Sequence, residues 1–308
     1  MNRRRKRSKG IVKKVLMFIA LFAGTYYVWA NAPLKINGNV TVPFITSPRE
    51  IEVTTAGQTT ASVLTDLSDD LIPAPVSEII DSRSMELINH DYPIKKEPPA
   101  SLIVSAWPTV PVKSNDIQLH ETALEAVRAL FDAAQEANVG TFYVSSGYRD
   151  YSQQKHLYDS MPDKSFVQLP NHSEHHSGLA VDILAIDIAQ SEMGRSGEGI
   201  WLAENAWEYG LILRYTEDKR NITQIAGEPW HFRYVGQPHA WYCQQNNLCF
   251  EEYIRFLKQN GGYSVTVGGN QYSVLYQMPV NDIINIPESL YHSISGDNTG
   301  GYIVTMWE

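Results

Sequence analysis

The stretch Asn171-His172-Ser173-Glu174-His175-His176-Ser177-Gly178-Leu179-Ala180-Val181-Asp182-Ile183-Leu184 runs from a polar, histidine-rich segment into residues of strand character. One carboxylate, Asp182, interrupts the apolar run. Outward from this strand the pattern alternates. Upstream, Leu124, Val127, Phe131 and Ala134 recur at steps of three, four and three, which predicts an amphipathic helix over 120–138 that ends before Gly140. Thr141-Phe142-Tyr143-Val144 reads as a short strand, and Asp150 or Ser152 can cap a helix reaching about Ser160. Downstream, a helix over 200–209 stops at Gly210, Phe232–Val235 has strand character, and a helix over 248–259 stops at Gly261-Gly262. Helices and short strands interleave without the even spacing of βαβ units, so the fold class is α+β: a compact domain with a small antiparallel sheet and flanking helices.

Beyond Gly262 the runs at 263–267, 271–276, 284–287 and 302–306 are short and β-rich, separated by Gly, Asn and Asp turn signals. They predict a small all-β C-terminal appendix over 261–308, too small for a core of its own and expected to pack on the preceding domain. No repeat appears at solenoid periods.

The other end of the chain carries its own signal. Eight of the 25 basic residues lie before position 15 with no acid among them, which leaves 17 bases against 34 acids in the remainder. That acidic body argues against a nucleic-acid partner. No charged residue occurs between Lys14 and Lys35. As a helix, 20 residues at ~1.5 Å each span ~30 Å, the thickness of a bilayer core. The reading is a cytoplasmic basic segment and membrane anchor at 1–34, with Tyr26, Tyr27 and Trp29 at the outer interface. A signal peptide cleaved after Ala30-Asn31-Ala32, giving a secreted protein, is the alternative, disfavoured by Pro33 directly after that motif. A Thr-, Ser-, Pro- and Asp-rich extracellular stalk over 35–82 then leads to the main domain at 83–260.

The chemistry gathers around the opening stretch. Several histidines precede Asp182 by about seven positions, and Glu228-Pro229-Trp230-His231 sets a carboxylate three residues before another histidine. Two imidazoles and one carboxylate make a three-ligand zinc site with a fourth position open to water, and a further Glu outside the ligand set can take that water's proton. Singly, an Asp in a strand is read as a turn residue and a lone His as a surface residue. Their joint occurrence beside Gly178 favours the metal. His90, His120, His156, His172, His239 and His292 have no spacing that demands chemistry. Cys243 and Cys249 could close a short disulfide in an oxidising exterior, unless both fall in helical turns with their Cβ atoms pointing apart.

Ser173-x-His175-x-x-Gly178-x-Ala180-x-Asp182, followed by Glu228–Gly236 and preceded by Ser145-Ser146-Gly147-Tyr148-Arg149-Asp150-Tyr151-Ser152-Gln153-Gln154, resembles the VanY-type zinc D-alanyl-D-alanine carboxypeptidases, a group that includes cell-wall LD-carboxypeptidases. Leu87–Asn89 and Gly210–Tyr215 are weaker matches, and the likeness covers roughly 85–257. It implies one Zn2+ per chain held by His175, Asp182 and His231, with Glu228 as general base. It makes Arg149 a polariser of the scissile carbonyl or a substrate clamp, with Gln154 and Ser173 on the peptide's terminal carboxylate. His176 and Gly227 depart from the family pattern, and His176 could compete for the metal. The implied activity is removal of the C-terminal D-Ala from peptidoglycan stem peptides outside the membrane. LD-carboxypeptidase action on tetrapeptide stems and a non-catalytic wall-binding role are the alternatives; an intact Glu228 argues against the last.

Overall fold

The computed structural model describes residues 70–307 together with two strand backbones nearer the N-terminus. The chain divides into units of residues 1–48 and 49–308. In the first, β1 (Leu34–Ile36) pairs antiparallel with β2 (Val40–Val42). The expected membrane span lies outside the described residues except for Leu34, which opens β1. Among the described residues no helix is long and apolar enough to cross a membrane.

The described part of the second unit opens with β3 (Leu71–Pro75), β4 (Ile103–Ser105) and β5 (Gln118–His120), which runs straight into α1 (Glu121–Glu136). The His120 side chain caps α1 by accepting from Thr122 N–H, and Leu124, Val127, Leu130 and Ala134 form its buried stripe. Phe131, expected on that stripe, lies at its edge because Leu130 occupies the inner position. β6 (Phe142–Ser146) leads to α2 (Tyr151–Ser160), where Asp150 and Gln153 make a reciprocal capping box. There follow β7 (Ala180–Ala185), α3 (Gly197–Asn205), β8 (Leu211–Leu213), α4 (Arg220–Thr223) and β9 (His231–Tyr234).

β6, β7, β9 and β8 form, in that order, an antiparallel sheet. α1 packs on it through one apolar core that includes Leu124, Val127, Leu130, Val181, Ile183 and Phe232. A register shift in β6 between Val144 and Ser146 brings Ser146 opposite Asp182. Such bulges re-aim side chains at the ends of ladders.

α5 (Gln237–Gln245) and α6 (Phe250–Asn260) come next, then β10 (Gly262–Val267), β11 (Asn270–Gln277), β12 (Ile283–Pro287), β13 (Tyr291–Gly296) and β14 (Tyr302–Trp307). β10, β11, β14 and β13 form a second antiparallel sheet, and β12 pairs with β3. One face of this second sheet, with Tyr263, Val265, Val274 and Ile303, shares a core with α5, α6, Met85 and Leu87. Its other face, with Leu275, Ile294 and Val304, packs on Ile284 of β12 and on residues of the β3 segment. The fold is therefore α+β with a C-terminal all-β region. Two expected boundaries move. The final part of the expected stalk, 71–75, is a strand of the β region. The break at 260/261 falls inside a continuous core. Cys243 in α5 and Cys249 at the cap of α6 are both free thiols.

Candidate metal centre and substrate cleft

β7 and β9 place two of the three expected ligands. Asp182 and His231 are direct cross-strand partners, and neighbouring positions of an antiparallel pair point to the same side. His231 Nδ1 is 3.0 Å from Asp182 Oδ1. His175 arrives from a single 3₁₀ turn, Glu174–Ser177, that Gly178 ends at φ 71°. A Cβ at Gly178 would sit 2.6 Å from Ile103 and 3.0 Å from the His120 nitrogen, so both conformation and space require glycine. His175 Nε2 then lies 3.5 Å from Asp182 Oδ1, and its ring stands at 81° to that of His231, with centroids 4.9 Å apart.

The donor atoms of His175, Asp182 and His231 all lie within 4.8 Å of one another. His175 Nδ1 donates to the Gly147 carbonyl at 2.6 Å, which fixes the tautomer and leaves Nε2 with its lone pair toward the cluster. Burial, with Arg149 nearby, lowers the His175 pKa to about 4 and keeps the ring neutral. Against the cost of burial, His175 and His231 hold the Asp182 carboxyl far below the usual carboxylate range. Burial opposes a charge on His231, but the hydrogen bond to Asp182 and the nearby carboxylates of Glu174, Asp182 and Glu228 raise its pKa to about 9. Two imidazoles and one carboxylate converge on one point, and the proton that the carboxylates draw onto His231 is one that a divalent cation would displace. An N,N,O set with this spacing fits zinc.

Glu228 stands outside the donor set, with Oε2 3.7 Å from His231 Nδ1. Its position follows from a tight turn in which Glu228 N–H donates to Tyr215 O and His231 N–H to Glu228 O. Burial pushes its pKa up to about 8, and Asp182 adds to the rise. A carboxylate of such basicity suits a group that must take a proton and return it.

Arg149 precedes the Asp150 cap of α2. Its Nε donates to Gln154 Oε1 at 2.9 Å and its Nη1 to Ser146 Oγ at 2.7 Å. Three of its five N–H groups remain for a ligand. Ser173 lines the same cleft, and among the described residues its hydroxyl has no hydrogen-bond partner. Gln154, expected on the substrate carboxylate, is placed differently. It is fully buried, its Nε2 donates to Gln168 O at 2.7 Å and its Oε1 accepts from Arg149. One N–H and the oxygen of the amide are thus engaged, and the side chain is buried away from the cleft wall, so Gln154 holds Arg149 rather than substrate. His176 does not compete for the metal: Nδ1 donates to Arg149 O at 2.7 Å and Nε2 accepts from Asn171 N–H at 3.0 Å. It props up the backbone of Arg149.

The cleft has a volume of about 730 Å³, with Arg149, Ser173, His175, Asp182, Glu228 and His231 on its polar side and Leu157, Met161, Phe166, Val167, Ile225 and Trp230 as apolar wall. Beneath it lies an ion network. Glu174, wholly buried, accepts from Arg214 Nε at 2.9 Å, lies 3.3 Å from Arg233 Nη1, and faces His231 Nε2 at 3.6 Å. Arg214 also makes a two-pronged pair with Glu251, whose Oε1 accepts from Asn89 Nδ2. Burial works against a charged Glu174, yet Arg214 and Arg233 hold its carboxyl well below the ordinary range. A carboxylate facing the far nitrogen of a ligating histidine orients the ring and raises its basicity. Sequence reasoning missed Glu174, Arg214, Arg233 and Glu251 in this role, and also Ser146 and Tyr215. All of these except Glu251 lie inside the quoted motifs, which was the available signal.

The family model described as VanY, D-alanyl-D-alanine carboxypeptidase, matches residues 116–237. A D-alanyl-D-alanine carboxypeptidase of Enterococcus faecium is 37% identical over 229 residues, covering 72% of this chain and 74% of the relative. Among solved structures, the vancomycin-resistance D,D-dipeptidase VanXYg, in complex with a D-Ala-D-Ala phosphinate analogue, superposes with a TM-score of 0.66 at 30% identity, over 77% of this chain and 98% of that one. The LdcB LD-carboxypeptidase gives a TM-score of 0.50 at 28% identity, over 73% and 94% of the two chains.

Proposed function

The chain belongs to the VanY family of D-alanyl-D-alanine carboxypeptidases, and from that membership we propose that it removes the C-terminal D-Ala from peptidoglycan stem peptides as a zinc enzyme. The observation that carries the reading is the convergence of His175, Asp182 and His231 with Glu228 and Arg149 on one cleft. A non-catalytic binder has no use for a basic carboxylate beside a metal site.

His175 Nε2, Asp182 and His231 Nδ1 would hold one zinc ion. When bound, it supplies a Lewis acid that lowers the pKa of water to about 7 and polarises a carbonyl. Glu228 takes the proton from the attacking water and returns it to the departing amine of D-Ala, so one group serves as base and then acid. Arg149 and the free Ser173 hydroxyl grip the substrate's terminal carboxylate, a charge-assisted contact for which Gln154 and Ser146 keep the guanidinium aimed. The apolar wall from Leu157 to Trp230 excludes water from the reacting atoms.

Stem peptides lie outside the cytoplasmic membrane. The uncharged run between Lys14 and Lys35, with eight bases before it, supports an uncleaved anchor with the acidic body outside. Protease added to wall-stripped cells is expected to release the body by cutting before residue 70. A body found in the medium with Pro33 at its N-terminus would establish secretion instead.

The substrate reading is tested with purified protein on synthetic stems ending in D-Ala-D-Ala, on tetrapeptide stems ending in a single D-Ala, and on the C-terminal amide of each. The pentapeptide carboxylate is expected to be cleaved and its amide hardly at all, since the amide leaves the donors of Arg149 and Ser173 poorly matched. Preference for the tetrapeptide would make the enzyme an LD-carboxypeptidase. Equal kcat/KM on carboxylate and amide would remove the clamp and leave Arg149 to the scissile carbonyl.

A further inference from the structure

Tyr215 follows β8 and sits between two groups whose roles are now assigned. Its carbonyl accepts the Glu228 N–H at 2.9 Å, which holds the two residues side by side. One side of its ring packs on His231, with centroids 4.9 Å apart. The Arg214 guanidinium, itself fixed by Glu174 and Glu251, lies 4.7 Å from the ring centroid. The ring is therefore in contact with both a metal-site histidine and an immobilised cation.

Its hydroxyl is treated differently. Tyr215 is only 4% exposed, but its hydroxyl oxygen is not one of the buried polar atoms left unpaired, so the tip of the ring keeps access to solvent while the ring is buried. Among the described residues no hydrogen-bond partner reaches that hydroxyl. Tyr215 lines the cleft together with Arg149, Glu228 and His231, and its hydroxyl lies within electrostatic range of both Arg149 and Glu228. A rigid donor that no protein group engages, on a residue lining the cleft, meets water when the cleft is empty and is available to the polar atoms of whatever fills it.

We propose that Tyr215 is a further catalytic residue whose hydroxyl donates a hydrogen bond to the scissile carbonyl oxygen as that oxygen gains negative charge. The proposal rests on the carboxypeptidase reading above and adds a donor to it. A donor held in place before the reaction, in a site that excludes water, stabilises developing charge without reorganisation. Tyr215 forms and breaks no covalent bond; the proton stays on the phenol and the water's proton still travels through Glu228. A contact made mainly as the carbonyl becomes tetrahedral lowers the barrier rather than tightening ground-state binding.

The test is Tyr215→Phe, which removes one oxygen and keeps the ring between His231 and Arg214. On a D-Ala-D-Ala pentapeptide, kcat is expected to fall about 100-fold with KM within about twofold of wild type. Affinity for a D-Ala-D-Ala phosphinate, a tetrahedral mimic, should fall by the same factor in calorimetry. Zinc affinity and the Tm of metal-free protein should be those of wild type. Unchanged kcat, a change confined to KM, or losses of zinc affinity or Tm that account for the activity would each overturn the proposal. An active wild type with an equally active Tyr215→Phe variant overturns this assignment alone. A wild type that neither cleaves the peptide nor binds the phosphinate overturns the carboxypeptidase reading as well.

Discussion

Glu228 and His231 stand three residues apart, the proposed mechanism gives them different work, and variants separate them. His231→Ala takes one of three ligands from a site that needs them all, so both zinc and activity should be lost; full zinc occupancy by metal analysis would refute the ligand set. Glu228→Gln keeps the shape and the donors but cannot carry a proton. It should retain zinc and Tm while kcat falls by about 10²–10⁴-fold; near-normal turnover would place the base elsewhere. The clustering of His175, Asp182 and His231 was legible in the sequence because metal chemistry prescribes residue types, and strand pairing brings prescribed residues together. The role of Gln154 was not. A carboxamide can hold a carboxylate or a guanidinium equally well, and only its burial beside Gln168 decides between them. Gln154→Leu should therefore lower kcat/KM by about 10²-fold through a misplaced Arg149, with zinc retained. Steady-state kinetics showing wild-type values would return Gln154 to the periphery.

At the level of elements, the network of Glu174, Arg214, Arg233 and Glu251 ties the 3₁₀ turn that carries His175 to β9 and to α6. Its pairs join residues 40 and 37 positions apart. No local pattern announces such a pair: each charge taken alone reads as a solvated surface residue, and only the fold brings them together. Helix periodicity, by contrast, is local, which is why α1 and α6 were readable. α5 escaped because its buried residues Pro238, His239, Ala240 and Trp241 are consecutive and form no stripe. Removing one member of the network is costly. Arg214→Met leaves the carboxylates of Glu174 and Glu251 buried with too few partners, and a loss of about 3–5 kcal/mol is expected in urea unfolding. The zinc site should loosen with it, since Glu174 then no longer holds a fixed position opposite His231 Nε2. A stability loss below about 1 kcal/mol would mean that water enters and replaces the guanidinium.

Across the whole molecule, the C-terminal sheet proves to be part of the enzyme's body rather than an attachment. The turn-rich composition after Gly262 marked most of its strands; β13 pairs with nearby β14 but was not read as a strand, whereas the pairing of β12 with β3 joins segments about 200 residues apart, which the sequence does not display. His239 of α5 is one of the joints. Its Nδ1 bonds to Tyr253 Oη of α6 at 2.6 Å and its Nε2 to Thr305 Oγ1 of β14 at 2.9 Å. Burial lowers its pKa to about 3, and burial with nearby Arg83 and Arg233 lowers that of His120 to about 4. Both rings are neutral in the folded chain, whereas the unfolded chain takes up protons near pH 6.5. The sign follows: their contribution is complete above about pH 6.5, and as pH falls the unfolded state binds protons first, so stability declines until the folded pKa values are reached. His239→Gln keeps a donor and an acceptor without a titrating group. For metal-free protein between pH 5 and 6, the wild type should lose about 1.4 kcal/mol per pH unit more than this variant, the slope of one proton. Parallel urea-unfolding curves for the two proteins over that range would mean that His239 is protonated in the fold, and that the joint between helix and sheet is made in some other way.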